Sequence, residues 1–265
     1  MKRLLVAGVS LLWGAAQVLA AGSFEAMQKK LGIPLSEGTV IDAYGRRPEV
    51  ILIQDVHRHP EAQHHIRAMI LSAMAHLGAK EIFLEGAWTH GQTSDYEFSG
   101  LEDPDAYRDN VAAYEAVEKD REGALQEIET AQLFENALDA AAAPPWALIQ
   151  RLVQLRLKPS EYAEYLKHPF HPDTDTVLAR AVESATHFYE LAIRRNDVFL
   201  ANAKRLHQSG PQVLVVGGFH TAGMASTLRQ EGISYVVLAP LITQGGFEDL
   251  YSQGMHQTIS ALKLH

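Results

Sequence analysis

Four short runs of hydrophobic residues constrain the fold of this chain more than any other feature. Each run has three or four hydrophobic residues in succession, without the polar alternation of a strand that faces water on one side, so both faces of each predicted strand are covered. The runs lie at residues 50–53, 82–84, 213–216 and 235–238. Between the first two runs, hydrophobic residues recur at helical spacing from Glu61 to Gly78. This order predicts an α/β fold with a mostly parallel sheet flanked by helices.

The middle third of the chain has a different pattern, which predicts a large helical insertion at about residues 103–209. The segment is rich in Ala, Glu and Leu, and it contains no run that predicts a strand. Prolines divide it into helical segments predicted at residues 103–143, 146–157, 160–166 and 174–207, the last of which is one long helix or two. Outside the insertion, residues 39–43 are predicted as a first strand and residues 87–102 as an irregular polar segment.

The first 21 residues have the features of a secretory signal peptide. Lys2 and Arg3 precede an apolar run at residues 4–16, and the small residues Ala20 and Ala21 suit a signal peptidase. The run is short for a permanent membrane helix, although an uncleaved anchor stays open as the alternative. We expect residues 1–21 to be removed on export. Residues 22–265 are expected to form a single α/β domain, periplasmic or secreted, with no stable membrane insertion.

The charge and the cysteine count exclude several classes of partner and chemistry. Loss of Lys2 and Arg3 from the 23 basic residues leaves 21 against 32 acidic ones, a net charge of −11, which argues against nucleic acid as a partner. Because the chain has no cysteine, thiolate metal ligands and a cysteine nucleophile are excluded. The sequence motifs of phosphate-binding loops, serine hydrolases and H-E-x-x-H metalloproteases are also absent. The expected partner is a small-molecule or peptide substrate, and the oligomeric state is open.

Histidine and glutamate side chains follow three of the predicted strands. His57 and Glu85 come after the first two hydrophobic runs, and His220 follows the third. Because ligands bind at the carboxyl ends of parallel strands, these three residues are expected to converge. Two imidazoles and a carboxylate are a common set of ligands for a divalent metal. As the alternative, each histidine caps a helix or is hydrogen-bonded in the core, and Glu85 is a charge at a helix N-terminus.

Two glycines directly precede His220. Gly217 and Gly218 are expected to allow positive φ and close approach of the backbone where the strand turns into a helix. The free N–H groups at the start of that helix suit an anion or an oxyanion. The pair therefore marks a candidate binding position beside the histidine.

The other histidines give weaker signals. His64 and His65 are consecutive on a predicted helix, so they are not expected to share a face, and at most one of them is expected to point towards the site. His59 lies just before that helix. His90 lies in the polar segment after Glu85, where it is a candidate for a flexible ligand.

Several motifs resemble those of one protein superfamily. Residues 51–57 (ILIQDVH), followed by Pro60 and His64-His65, resemble the first motif of the ChaN-like haem-binding proteins. Residues 83–85 (FLE) resemble the glutamate strand that follows it, and residues 213–220 (VLVVGGFH) resemble the second histidine motif, G-x-x-H. Arg195-Asn196 resembles an arginine–asparagine pair found before that motif. The set is similar to the superfamily that joins erythromycin esterases, ChaN-like proteins and the TraB/TIKI metalloproteases.

The resemblance covers about residues 48–86 and 186–240 and suggests an exported bacterial member of that superfamily. It implies Arg195 as an oxyanion or carboxylate partner, and Asp55, which stands where many relatives have glutamate, as a ligand or base. Gln54 stands where the protease branch has glycine, and its side chain narrows the approach. The residues that the resemblance implies for the site are His57, Glu85, His220, Arg195 and Asp55.

The branches of the superfamily imply different cofactors and lead to three hypotheses. The first is an exported hydrolase of an ester or a peptide-like amide. It is assisted by a divalent metal (manganese, cobalt, zinc or iron), as in the protease branch, or by a histidine that activates water without an obligatory metal, as in the esterase branch. The second is a haem- or iron-binding protein without catalysis, and its candidate axial ligands are Tyr162, Tyr165, His168 and His171. The third is a catalytically inactive module that binds a partner.

Overall fold

The computed structural model describes residues 24–135, 145–171 and 176–243, together with residue 255. The predicted signal peptide lies outside the described residues, as do the predicted end of the first insertion helix at 143 and the predicted start of the last one at 174. Across the described segments, no helix is both long enough and apolar enough to cross a membrane.

Strands and helices alternate at both ends of the described chain, and helices alone fill its middle. The strands are β1 (Gly38–Tyr44), β2 (Val50–Asp55), β3 (Glu81–Leu84), β4 (Gly91–Gln92), β5 (Glu97–Gly100), β6 (Gln212–Gly217) and β7 (Tyr235–Pro240). The helices are α1 (residues 24–31), α2 (Pro60–Leu77), α3 (Pro104–Glu135), α4 (Trp146–Val153), α5 (Pro159–Tyr165), α6 (Val177–Leu206) and α7 (Gly218–Gln230).

The strands form one sheet in the order β1-β7-β2-β6-β3-β5-β4. The inner strands, from β7 to β5, run parallel to one another, and the edge strands β1 and β4 are antiparallel to their neighbours. The predicted α/β class is confirmed, because all four hydrophobic runs are parallel strands and helices pack on the sheet.

The prediction of an irregular segment at residues 87–102 was wrong, because β4 and β5 lie there. Strand β5 pairs with β3 only through Ser99 and Gly100, and its four residues are exposed or half-buried. A short strand near the edge of a sheet needs neither a hydrophobic run nor a regular alternation. The pattern that reveals the inner strands is therefore missing at this edge.

Hydrophobic side chains cover both faces of the parallel sheet, which explains why the strand runs do not alternate with polar residues. On one face, Ile51 and Ile53 of β2 pack in a cluster with α1 and α2. On the other face, Val50 and Leu52 pack in a cluster with α7 and the C-terminal part of α6. Each strand therefore contributes alternate residues to two separate cores.

The helical insertion has a hydrophobic core of its own, built by α3, α4, α5 and the N-terminal part of α6. Helix α6 belongs to both parts of the molecule, since Leu178 and Ala185 lie in the insertion core whereas Phe199 and Ala203 lie against the sheet. This long helix joins the insertion to the sheet. The predicted large helical insertion in the middle third is confirmed, and its described helices run from Pro104 to Leu206.

The chain leaves the neighbouring strands β2 and β6 towards opposite faces of the sheet. Helix α2 follows β2 and covers one face, and α7 follows β6 and covers the other. The two connections therefore diverge at the carboxyl ends of adjacent parallel strands. This is the position in open α/β sheets where a crevice forms and ligands bind.

Candidate functional site

Three side chains converge in the crevice beyond β2, β3 and β6. His57 lies two residues past β2, Glu85 follows β3 directly, and His220 lies in the first turn of α7. They surround Gly217, the last residue of β6. A Cβ atom added to Gly217 would lie 3.3 Å from His57 Nε2, 3.3 Å from Glu85 Oε2 and 3.8 Å from His220 Cδ2. The structure thus brings together the three residues that the strand ends predicted.

Gly217 is required for space and not for an unusual backbone conformation. Its φ is −53°, and neither Gly217 nor Gly218 is among the described residues with positive φ. The expectation of positive φ for this pair was therefore wrong, because the strand passes into α7 through ordinary backbone angles. The missing side chain of Gly217 instead leaves a position that both His57 Nε2 and Glu85 Oε2 face.

Glu85 is a buried carboxylate at the centre of the site, with only 7% of its side chain exposed. Its Oε2 accepts a hydrogen bond of 2.6 Å from the Gly217 N–H, and its Oε1 accepts one of 2.8 Å from Arg195 Nη2. His220 Nε2 lies 3.2 Å from the same Oε1. Burial raises the pKa of Glu85, but the charges of His220 and Arg195 outweigh it and hold the pKa well below its usual range. Glu85 is therefore ionised at neutral pH.

Asp55 and His57 form a hydrogen-bonded pair. Asp55 Oδ2 lies 2.6 Å from His57 Nδ1, and Asp55 Oδ1 accepts a hydrogen bond of 2.6 Å from Gln63 Nε2. Burial lowers the pKa of His57. The hydrogen bond to Asp55 and the charge of Glu85 outweigh burial and raise the pKa to about 9. The pair thus fixes the Nδ1 side of the ring and leaves Nε2 facing the position above Gly217.

His220 is oriented by Asn196 of α6. The distance between His220 Nδ1 and Asn196 Oδ1 is 2.7 Å, and because an amide oxygen only accepts hydrogen bonds, Nδ1 carries the proton. The other ring nitrogen, Nε2, therefore faces Glu85. Both His220 and Asn196 are buried, so this arrangement is held by the core of the fold.

Arg195 bridges two buried carboxylates. It donates to Glu85 Oε1 and also binds Glu102 in a two-pronged contact, from Nη2 to Oε1 and from Nε to Oε2 at 3.3 Å. Glu102 Oε1 also accepts a hydrogen bond of 3.1 Å from the Gly86 N–H. Of the two roles implied for Arg195, the contacts are those of a carboxylate partner, whose guanidinium group is held by Glu85 and Glu102.

Sequence reasoning missed Glu102, whose side chain is fully buried. It lies two residues beyond the end of β5, which runs parallel to β3. Had β5 been recognised, the rule that found Glu85 would also have found Glu102, since both are carboxylates beyond the ends of parallel strands. The polar sequence of β5 concealed this signal.

Two cavities open on the site and share Asp55, His57, Glu85 and Arg195 as their common wall. The first, of about 340 Å³, is mainly apolar, and the insertion supplies its side walls. The insertion contributes the apolar side chains of Leu155, Leu157, Phe188 and Tyr189, and α7 contributes Phe219. The second, of about 430 Å³, is the more polar of the two (the polar cavity) and includes Gln63, Tyr107 and Asn110. The insertion therefore shapes both cavities.

The arrangement of His57, Glu85 and His220 does not fit a divalent metal. Both Glu85 oxygens already accept hydrogen bonds, and the Arg195 guanidinium group lies 2.8 Å from one of them, where it would repel a second cation. In the part of the chain that the structure describes, the ligand atoms of a different group, Glu37, His64 and His65, converge within 4.8 Å of one another.

His64 and His65 lie away from the site. Both approach Glu37, whose Oε2 is 2.5 Å from His65 Nδ1, although consecutive helical residues point about 100° apart. His59 is buried and caps α2 by accepting a hydrogen bond of 3.3 Å from the Ala62 N–H. His90 lies on the exposed loop beside Glu97, 3.7 Å from its carboxylate.

The candidate haem ligands also lie outside the two cavities that meet at His57. Tyr162 and Tyr165 are buried in the insertion, and their hydroxyl groups lie 3.3 Å from the backbone and the side chain of Thr186 respectively. His168 and His171 are exposed. No contact among the described residues favours haem, and the haem hypothesis stays a prediction.

The chain matches no protein-family model, no curated protein and no solved structure. The resemblance of its motifs to the esterase and ChaN-like superfamily therefore also stays a prediction.

Replacing Asp55 by asparagine should lower the pKa of His57 from about 9, because the charge that favours the imidazolium form is removed. The measurement is an NMR titration of the His57 ring nitrogens between pH 5 and 11. Asp42→Asn is the matched control, since Asp42 pairs with Arg229 and Tyr235 away from the site. An unchanged His57 titration in Asp55→Asn would contradict the proposed origin of the shift.

Proposed function

We propose that this chain is an exported hydrolase that cleaves an ester or amide bond in the crevice between His57, Glu85 and Gly217. One observation carries the proposal: His57 Nε2 and Glu85 Oε2 both lie 3.3 Å from the position of the Cβ that Gly217 lacks. Both atoms therefore face the open side of Gly217, and a water molecule lying between them, farther from the backbone than a Cβ would be, is within hydrogen-bonding reach of a base and of a carboxylate. Export is inferred from the signal-peptide features of residues 1–21.

In this proposal, His57 is the general base. With its proton on Nδ1, shared with Asp55, the neutral imidazole presents the Nε2 lone pair to the water. The water oxygen attacks the carbonyl carbon of the substrate while its proton passes to Nε2. The resulting imidazolium then gives that proton to the departing alcohol or amine, so His57 returns to its starting form.

Glu85 orients the water and stabilises the charged form of His57. Its Oε2 accepts the second O–H of the water, and its negative charge lies close to the imidazolium that forms during the reaction. The low pKa of Glu85 keeps the carboxylate ionised throughout. Arg195 and Glu102 are positioning residues, because Arg195 donates to Glu85 Oε1 and is itself bound by Glu102.

The start of α7 suits the oxyanion. Helix α7 begins at Gly218 without a side-chain cap, and the first N–H groups of a helix have no partner within the helix. The Gly217 N–H is bound to Glu85, so the N–H groups of Gly218 and Phe219 are the candidates to bind the carbonyl oxygen as it gains negative charge.

Loss of the base or of the space above Gly217 should abolish activity. We expect His57→Gln to lower kcat/KM for p-nitrophenyl hexanoate by about 10³-fold. Gly217→Ala should lower it by at least about tenfold, because the new methyl group lies 3.3 Å from both His57 Nε2 and Glu85 Oε2 and narrows the space that the water needs between them. The control is His207→Gln, which changes a histidine that binds Glu81 away from the site. Equal activities of wild type and both site variants would refute the proposed roles.

The rate should rise with pH through about 9. A general base works only after it has lost its proton, and the raised pKa of His57 keeps it protonated at neutral pH. The pH profile of kcat/KM should therefore climb between pH 7 and 9 and level off above, and Asp55→Asn should shift this limb to lower pH with a lower plateau. A profile that is flat from pH 6 to 10 would count against His57 as the base.

Activity should not depend on a bound divalent metal. We expect the purified protein to keep its activity after dialysis against EDTA, and manganese, cobalt, zinc and iron to be substoichiometric by elemental mass spectrometry. The physical reason is that Arg195 already provides the positive charge beside Glu85. Loss of activity with EDTA, restored by one of these metals, would instead support the metal-assisted form of the hydrolase.

A further inference from the structure

The side-chain oxygen of Asn110 is buried without a hydrogen-bond partner. The residue is 1% exposed, and its Oδ1 accepts no hydrogen bond from any residue that the structure describes. Most buried polar atoms in folded proteins have a partner, because an unpaired one loses its hydration without compensation. Because Asn110 is one of the residues around a cavity, its unpaired oxygen indicates a nearby place for a ligand group that donates a hydrogen bond.

Asn110 lies on a cavity that also borders the candidate site. Asp103 caps α3 by accepting hydrogen bonds from the N–H groups of Asp105 and Ala106. Tyr107 and Asn110 follow in the first turns of α3, three residues apart and therefore on one face of the helix. Both line the polar cavity of about 430 Å³ that also borders His57, Glu85 and Arg195. A ligand in this cavity thus contacts Asn110 and reaches the proposed reaction centre.

The charges around the polar cavity argue against a cationic group. The acidic side chains on its wall are Asp55 and Glu85, and the basic ones are His57, Arg58 and Arg195. Asp55 and Glu85 are bound to His57 and Arg195, so neither is a ready partner for an ammonium group. A carboxamide both accepts and donates hydrogen bonds, and its natural complement is another amide. Asn110 therefore fits a neutral amide group better than an ion.

The apolar cavity on the other side of the reaction centre fits a different part of the same molecule. Its walls of Leu155, Leu157, Phe188 and Tyr189 offer no charged group, and the two cavities meet at His57 and Glu85. We propose that the substrate has two parts: an apolar acyl group bound in the first cavity, and a neutral amide unit bound by Asn110 in the second. Such a molecule is an N-acylated amino-acid amide or short peptide.

The identity of the bond that is cleaved rests on the proposed function, but the recognition by Asn110 does not. Two probes separate the amide contact from the rest of the ligand. N-Hexanoylglycinamide carries both parts, and N-isobutylhexanamide has the same shape with the terminal carboxamide replaced by an isopropyl group. Their affinities are measured by isothermal titration calorimetry at pH 6, where His57 is protonated and the proposed base is inactive.

We expect the wild-type protein to bind the glycinamide at least about tenfold more tightly than its apolar analogue, since a site built for a hydrogen bond is left unpaired by the analogue. Asn110→Ala and Asn110→Leu should reduce this ratio to within about twofold by weakening the binding of the glycinamide alone. Asn110→Leu keeps the shape of the side chain and removes the unpaired oxygen, so its melting temperature should equal or exceed that of the wild type.

Three results would overturn the inference: equal binding of both probes by the wild type, no binding of either probe at about 5 mM, or the same ratio of affinities in the folded Asn110 variants.

Hydrolysis of p-nitrophenyl hexanoate by the wild type at pH 9 tests the proposed function separately, because this ester lacks the amide unit. Cleavage of the ester without a preference for the glycinamide refutes only the Asn110 site. Asn110-dependent binding without cleavage of either the ester or the glycinamide refutes only the hydrolase.

Discussion

Glu85 carries a negative charge at a position where only 7% of its side chain reaches solvent, and the surrounding structure is arranged to compensate this charge. An ionised carboxylate that loses its water is stable in the fold only if hydrogen bonds and opposite charges replace that water. The N–H of Gly217 supplies one partner from β6, and Arg195 of α6 supplies another. Because Arg195 also binds Glu102 beyond β5, one carboxylate connects two strand ends, the long helix and the edge of the sheet.

This network explains how a helical insertion shapes a site on an α/β sheet. Helix α6 shares its N-terminal part with the insertion core and its C-terminal part with the sheet, and Arg195 and Asn196 lie on the stretch between them. Arg195 fixes Glu85, and Asn196 fixes His220. The insertion cannot shift relative to the sheet without disturbing these buried contacts. The walls that it contributes to both cavities are therefore held in place by the residues that orient the site.

The sequence predicts the strands that a run of hydrophobic residues reveals and the residues at their ends. It does not predict residues whose role depends on a single contact in the folded structure. Continuous hydrophobic runs revealed β2, β3, β6 and β7, because strands buried on both faces need them. The ends of these strands then located His57, Glu85 and His220. No such pattern marks β5, so Glu102 was missed, and Asn110 looks like any polar residue of a helix until its cavity is seen. Arg195 drew attention only through a resemblance, and its double contact depends on residues about 100 positions away.

The pKa values of His57 and Glu85 are shifted in opposite directions, and these shifts give the site its chemical character. The negative charges of Asp55 and Glu85 raise the pKa of His57 to about 9. The positive charges of His220 and Arg195 hold the pKa of Glu85 well below its usual range. Environments that drive the pKa values of neighbouring groups apart are typical of sites that transfer protons. A purely structural ion pair would need only Glu85 and Arg195. The space above Gly217 and the inward-facing Nε2 of His57 add nothing to such a pair, and these two features therefore favour a site that handles water over one that only stabilises the fold.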